Sequence, residues 1–380
     1  MNANAIGNGT IAAFDAWRVR VPLAEPYHLS KVYGTLTHAN AVLVRLTLDD
    51  GTQGWGEADP GGLAFTGDDA GMVMEQARAV GESLTGVSPA KWIDEQRRER
   101  RHGSLVAAID VACHDALARA RGIPVWRLLG ELKRDRIDVL WPTSSGGAGG
   151  DLDTIDVRAP LGFTTFMLKM GDRDIADEIS RLREVLRVTP DAVRVMVDAN
   201  QGWRLDEALA FVEGAADLPL ILVEQPVAAT DLDGLHSVRE RARCPVSVDE
   251  SLQCPADARA IVEAGAADVF SVKISKNGGL ANAAYIAGVA ADAAKRVLMN
   301  SMIELGITQA ASLHLGCTLD NLLDCGHAYM STLRMGDDVT DFSTWINHGT
   351  ACLPAERPGL GIEIDYDKIA AYEVDSCHAG

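Results

Sequence analysis

The stretch "VRVMVDAN" (193–200) sets the reading of the chain. A short apolar run, rich in β-branched residues, ends on Asp198 and Asn200. Such a run, bounded by polar residues, reads as a strand buried on both faces. The same phrase returns downstream. "LILVEQP" (220–226) ends in Glu224, and "PVSVDES" (245–251) ends in Asp249 and Glu250. The spacing is 26 residues from Asp198 to Glu224 and 25 from Glu224 to Asp249. That is the length of one strand, one helix and their loops.

Further runs lie on either side. "IDVLWPTS" (137–144) and "TTFMLKMG" (164–171) come before. "DVFSVKIS" (268–275), "RVLMNSMIE" (296–304) and "NLLDCG" (321–326) come after. Helix-like stretches such as "ADEISRLREVLRV" (176–188) and "LDEALAFVEGA" (205–215) separate them. Strand then helix, eight times over, predicts a parallel sheet of α/β class, closed as a (β/α)8-type barrel. The alternative is an open doubly wound sheet. That fold wants a glycine-rich nucleotide loop after its first strand, and "PTSSGGAGGD" (142–151) lacks the spacing. "SSGGAGG" (144–150) reads instead as a flexible loop at the barrel mouth.

The rhythm before residue 133 is different. "FDAWRVRVPL" (14–23) alternates, and "AVLVRLTLDDGTQGWGEA" (41–58) is two strands around an Asp-Asp-Gly turn. From Asp68 to Gly122 the pattern is helical, and Gly122 followed by Pro124 stops it. The tail "PGLGIEIDYDKIAAYEV" (358–374) is strand-like and is expected to return to this unit. The reading is an α+β capping domain at 1–132, a barrel at 133–355, and a tail at 356–380 rejoining the cap.

Composition bounds the partners. The 380 residues are 47% hydrophobic and 23% charged, as in an ordinary globular protein. A net charge of −19 argues against nucleic acid as a partner. Seven scattered cysteines without a CxxC pair argue for buried thiols rather than disulfides or zinc. "MNANAIGNGTIAAFDAW" (1–17) shows no leader, and no apolar run approaches the ~20 residues of a membrane span. A cytoplasmic protein without a membrane partner is expected.

Each barrel run stays apolar until its end, where a charge appears. Lys169 ends the second run, Asp198 the third, Glu224 the fourth, Asp249 and Glu250 the fifth, Lys273 the sixth and Glu304 the seventh. In a β/α barrel these ends converge on the face where active sites sit. Three carboxylates from adjacent strands repel one another, and a hard divalent cation such as Mg2+ resolves the repulsion with oxygen ligands. Separate strand-end caps are the plainer account, but the regular spacing argues against it. Strands two and six stand on opposite sides of an eight-stranded barrel, so Lys169 and Lys273 face one another. A neutral lysine takes a proton α to a carboxylate, Mg2+ stabilises the enediolate, and the opposing lysine returns a proton or holds the anion.

These segments together resemble the enolase superfamily, within it the mandelate racemase and muconate lactonizing enzyme family. The likeness runs through "GWGEA" (54–58), "LVAAIDVACHDALARARGIPVWRLLG" (105–130), "FMLKMG" (166–171), "VDANQGW" (197–203), "VEQP" (223–226), "VDES" (248–251), "SVKISKNGG" (271–279), "SMIELGIT" (301–308) and "PGLGIEID" (358–365). The resemblance implies Asp198, Glu224 and Asp249 as Mg2+ ligands and Lys169 and Lys273 as the acid/base pair. It implies a homo-oligomer acting on a small carboxylate. A lysine on the sixth strand resembles the muconate lactonizing subgroup; the seventh run, "NSMIE", lacks the histidine of the mandelate racemase and acid-sugar dehydratase subgroups. The expected activity is cycloisomerization of a muconate-like diacid, or racemization or epimerization of an amino or substituted acid. A dehydratase using the same proton abstraction, or a non-catalytic barrel binding protein, is the alternative.

One departure stands out. The family pattern Lys-x-Lys on the second strand is here Met167-Leu168-Lys169. Residues 167 and 169 share a strand face, so Lys169 lacks an adjacent ammonium. Either Lys273 is then the main base, or Lys169 serves mainly one face, or the pocket is apolar. Specificity is expected from "EPYHLSKVYG" (25–34), "PGGLAFTGDD" (60–69) and the eighth strand end, with Tyr27, His28, Lys31, Tyr33, Phe65 and His327 as candidate substrate contacts. Asn200, Glu250 and Glu304 are candidates for substrate or supporting contacts. Asp324 followed by Cys325 and Gly326 lacks the Asp-x-Asp of dipeptide epimerases. His102, His114 and His236 read as structural, Met299 and Met302 as core, Trp203 as packing, and Lys276 as a rim salt bridge.

Overall fold

The computed structural model describes residues 9–144 and 146–380. Residues 1–8 of the opening stretch and Ser145 of the glycine-rich stretch lie outside the described residues, and with them part of the leader and loop readings.

A four-stranded antiparallel sheet opens the chain. Strand Ile11–His28 pairs with Thr35–Leu48, which turns through Asp49–Gly51 into Gln53–Ala58. The opposite edge of Ile11–His28 is covered by the terminal strand Glu373–Ala379. The tail thus ends on this sheet, but not as one strand. Tyr366–Tyr372 is a helix, because Asp365 accepts the Lys368 amide at 3.1 Å and caps it. Helices Ala70–Leu84, Pro89–Glu99 and Ser104–Ala120 cover one side of the sheet. Gly54 and Gly56 let strand Gln53–Ala58 lie directly on the last of these. A Cβ at 56 would stand 1.8 Å from the Ala108 carbonyl oxygen.

Seven parallel strands form the second sheet in sequence order: Leu140–Pro142, Thr165–Lys169, Arg194–Asp198, Leu220–Glu224, Val246–Val248, Val269–Val272 and Arg296–Met299. Their side chains, Phe166, Val195, Val197, Leu222 and Phe270 among them, are buried on both faces. The expected eighth strand is not a regular one. Residues 322–328 touch the seventh strand at Leu322 and the first at His327, through single parallel bridges. The segment bends at Asp324–Cys325 and runs so close to the first strand that a Cβ on Gly326 would meet the Leu140 nitrogen at 2.6 Å. It still closes the ring: the Leu140 amide donates to the His327 carbonyl, and the Ala328 amide to the Met299 carbonyl, both at 2.9 Å. The architecture is a capped (β/α)8 barrel.

A second expectation changes at the glycine-rich stretch. Ala148–Arg158 is a helix, begun at Gly147, so the loop is shorter than "SSGGAGG" suggested. Packing of Ile155 and the Asp151–Arg181 ion pair outweigh the poor helix propensity of glycine. The sheet and barrel are joined by Glu57. It is fully buried and accepts the Leu305 and Thr308 amides at 2.7 and 2.9 Å, capping helix Gly306–Gly316. All seven cysteines are free. No described helix is long and apolar enough to cross a membrane.

Candidate active site

The strand ends bring the predicted charges together at one mouth. Parallel register sets Lys169 beside Asp198 and Asp198 beside Glu224. Asp249 and Lys273 follow one residue beyond their strands. All five are buried. The chain then turns sharply: Asn200, Gln201 and Gln225 take left-handed backbone, with φ of 42°, 65° and 35°. Such strain in non-glycine residues gathers at functional sites. Gln225 joins neighbouring strand ends by accepting the Asp249 amide through Oε1 at 2.9 Å and donating from Nε2 to Ser251 Oγ at 2.9 Å.

Lysines hold the outer carboxylates. Lys169 Nζ lies 2.5 Å from Asp198 Oδ2, and Lys273 Nζ 2.7 Å from Asp249 Oδ2. Burial opposes charge on Lys169, but Asp198, Tyr27 and Glu224 outweigh it and raise its pKa. The same contest at Lys273 is won by Asp249, Glu224 and Glu250. Asp249 is pulled down to about 2: burial works against its charge, and Lys273 and Lys276 overcome it. Among the described residues Glu224 has only neutral side-chain donors, Asn300 Nδ2 at 2.9 Å and Ser247 Oγ at 3.2 Å. Burial, then Asp198 and Asp249, push it well above the carboxylate range.

The donor set fits a hard cation. Aspartate, glutamate and asparagine oxygens converge with no sulfur or imidazole. Asn200 Oδ1 and Glu250 Oε2 are buried and have no hydrogen-bond partner among the described residues. No three carboxylates among the described residues are closed to metal-ligating distance, and lysines pair with Asp198 and Asp249. Strand register nonetheless sets Asp198 beside Glu224, and Asp249 one residue beyond the next strand.

Above this floor lies a cavity of about 260 Å³, which both Lys169 and Lys273 line. Tyr27, Tyr33, Phe65 and Asn200 line it too. Tyr33 donates to Glu250 Oε1 at 3.1 Å and accepts from Gln201 at 2.7 Å, tying the cap loop to the barrel. Lys273 Nζ stands 4.7 Å from the centre of the Phe65 ring. Met167 faces the cavity beside Lys169.

Other candidates fall elsewhere. His327 is a correction: its ring is buried beneath the closing segment, accepting the Met299 amide at 2.9 Å and pairing with the Leu323 carbonyl at 3.2 Å. Burial pushes it down to about 4, so it is a neutral structural group. His28 is exposed and bonds Thr35 Oγ1 at 2.8 Å, away from the cavity. Glu304 lies behind the wall, held by Ser301 and Gln309. Lys31 is exposed and does not line the cavity. Met302 is 8% exposed and lines the cavity rather than the core alone. Trp203 packs as read, its ring 4.4 Å from Phe211.

Two residues were missed. Lys276 is no rim residue: it is buried and donates to Asp249 Oδ1 at 2.6 Å and to the Asp249 carbonyl at 2.7 Å. The signal was its place one helical turn after Lys273, in helix Ile274–Asn277. Asn300 follows the seventh strand and holds Glu224, and the polar break in "VLMN" marked it.

Known proteins resemble this chain along most of its length. Residues 13–130 match the mandelate racemase / muconate lactonizing enzyme N-terminal domain, and 154–368 the enolase C-terminal domain-like family. The L-Ala-D/L-Glu epimerase of Bacillus subtilis (strain 168) is 32% identical over 93% of this chain and 96% of its own length. A muconate cycloisomerase 1-2 of Acinetobacter lwoffii is 33% identical over 92% of each. The crystal structure of muconate lactonizing enzyme from Pseudomonas fluorescens, complexed with muconolactone, superposes with a TM-score of 0.89 at 26% identity, covering 96% of this chain and 100% of that one.

Proposed function

The chain belongs to the mandelate racemase and muconate lactonizing enzyme family of the enolase superfamily, as an isomerase, and from that premise we propose that Lys169 and Lys273 move the α-proton of a small carboxylate. The observation that carries this is their shared cavity: two buried lysines, four strands apart in the ring, line one pocket over three carboxylates. In this reading residues 1–132 and 356–380 form the cap that closes it.

Asp198, Glu224 and Asp249 would hold Mg2+. Bound there, it would supply positive charge that offsets the carboxylates in place of the lysines and stabilises the anion left when the α-proton departs. The remaining work belongs to the chain. One lysine, neutral, removes the proton from one face of the α-carbon, and the opposing ammonium delivers one to the other face. Inversion results, as a racemase or epimerase requires. In cycloisomerization one lysine delivers the proton alone. Asn300 and Ser247 fix Glu224; Gln225 and Lys276 fix Asp249. Tyr33 and Phe65 cover the reacting centre against water.

The test is proton exchange in D2O with Mg2+, followed by NMR. Lys169→Ala and Lys273→Ala are each expected to stop exchange from one enantiomer and spare the other. Equal residual exchange from both enantiomers in either variant refutes the two-base scheme.

A further inference from the structure

The cavity has a charged floor and an uncharged roof. Among its described lining residues, Lys169 and Lys273 are the only ones with a charge. Both pair with floor carboxylates, Asp198 and Asp249, and in the proton-transfer reading both are occupied at the α-carbon. The remainder is largely apolar: Leu36, Leu63, Phe65, Met167, Met302 and Met330 face inward. Where a second ammonium would stand beside Lys169, Met167 presents a thioether and is 1% exposed.

Nearby cations line other spaces. Arg18, Arg20 and His38 line a neighbouring cavity and not this one, and Leu36, Gly61, Gly62, Met302 and Ile303 line both. Arg334 lies behind the Tyr27 ring, 4.0 Å from its centre, and donates Nη1 to the Pro142 carbonyl at 2.8 Å. A second carboxylate on a substrate would thus meet no further cation among the described lining residues, only neutral donors such as Tyr27, Asn300 and Ser301, and a buried charge without a countercharge is disfavoured. The volume of about 260 Å³ lies just below the ~300–1,000 Å³ of drug-sized sites, which suits a small substrate.

We propose that the substrate carries one carboxylate, held at the floor, and an uncharged apolar body packed between Met167, Phe65 and Met302. This rests on the proton-transfer reading above. It sets the chain against dicarboxylates such as muconate, or a dipeptide ending in glutamate, which need a second cation on the wall.

Matched probes decide it: N-acetyl-leucine against N-succinyl-leucine, N-acetyl-methionine against N-acetyl-glutamate, and the monomethyl ester of cis,cis-muconate against the diacid. Each pair differs in one terminal charge. With Mg2+ present, α-proton turnover and direct binding by calorimetry are measured separately. The expected result is a preference for the monocarboxylate of at least a hundredfold, about 2.7 kcal/mol at about 1.36 kcal/mol per tenfold. Met302→Arg places a cation on the wall and is expected to narrow the gap tenfold or more. Leu63→Arg, on the exposed cap loop, does the same where folding is not at risk. Dicarboxylates bound or turned over as well as their partners overturn the inference and leave the proton-transfer reading intact. Selective binding of monocarboxylates without exchange upholds it and sinks that reading. Binding of neither set overturns it.

Discussion

Glu250 gives the sharpest test of the charged floor. Its carboxyl is 3% exposed and Oε2 has no partner among the described residues. Burial first, then Asp249 and Asp198, push it from 4.5 up to about 8. The sign follows from linkage. A folded-state pKa above the unfolded one means the folded protein holds the proton more tightly. The stability it contributes is complete below about 4.5 and is lost as pH rises towards about 8. About 3.5 pH units at about 1.36 kcal/mol each is on the order of 5 kcal/mol. For 380 residues, unfolding entropy of about 2.1 cal/mol/K each converts that to roughly 6 °C in Tm.

The perturbation is Glu250→Gln. Its amide oxygen still accepts from Tyr33 and Asn200, which now bond Oε1 at 3.1 and 3.2 Å, while the titration is gone. In EDTA, wild-type protein is expected to lose several degrees relative to Glu250→Gln between pH 5 and pH 8, by scanning calorimetry. Excess Mg2+ is expected to flatten the wild-type slope, because the cation compensates the charge that burial penalises. Comparing the two proteins removes the general self-repulsion of an acidic chain of net charge −19. Parallel curves for the two proteins in EDTA would refute the argument.

Asp249→Asn is expected to abolish turnover while leaving the far-UV circular dichroism unchanged, and wild-type turnover in excess EDTA would remove the metal from the scheme. Gly56→Ala is expected to lower stability by about 1–3 kcal/mol or more, since its Cβ would stand 1.8 Å from the Ala108 carbonyl oxygen; an unchanged unfolding midpoint in urea contradicts the close approach of strand and helix.

The barrel was legible because buried parallel strands leave a simple trace. A charge breaks such a run where the strand leaves the packed interior and other charges gather to meet it, so Lys169, Asp198, Glu224 and Asp249 announced both the strand ends and the mouth. The regular interval between them supplied the topology. What failed to show depends on geometry after the strand ends. Lys276 comes one helical turn past Lys273, and whether a helix or a loop follows decides whether it meets Asp249 or solvent. His327 misled for the same reason: it was placed by assuming a regular eighth strand, whereas the bend at Asp324–Cys325 carries its ring under the sheet. Glu304 ends a polar run, yet Asn300 four residues earlier is the one at the strand end. Met167 is the reverse case. Its side follows from strand alternation alone, and its chemistry from its identity, so the sequence showed an ammonium missing from the wall. Only the surrounding surface shows that nothing among the described residues replaces it: the lining adds no cation beyond Lys169 and Lys273, and the arginines nearby line another cavity or bond a backbone carbonyl. Catalytic groups are thus readable where one strand fixes them, and specificity is not, because it is set by which side chains several loops leave out.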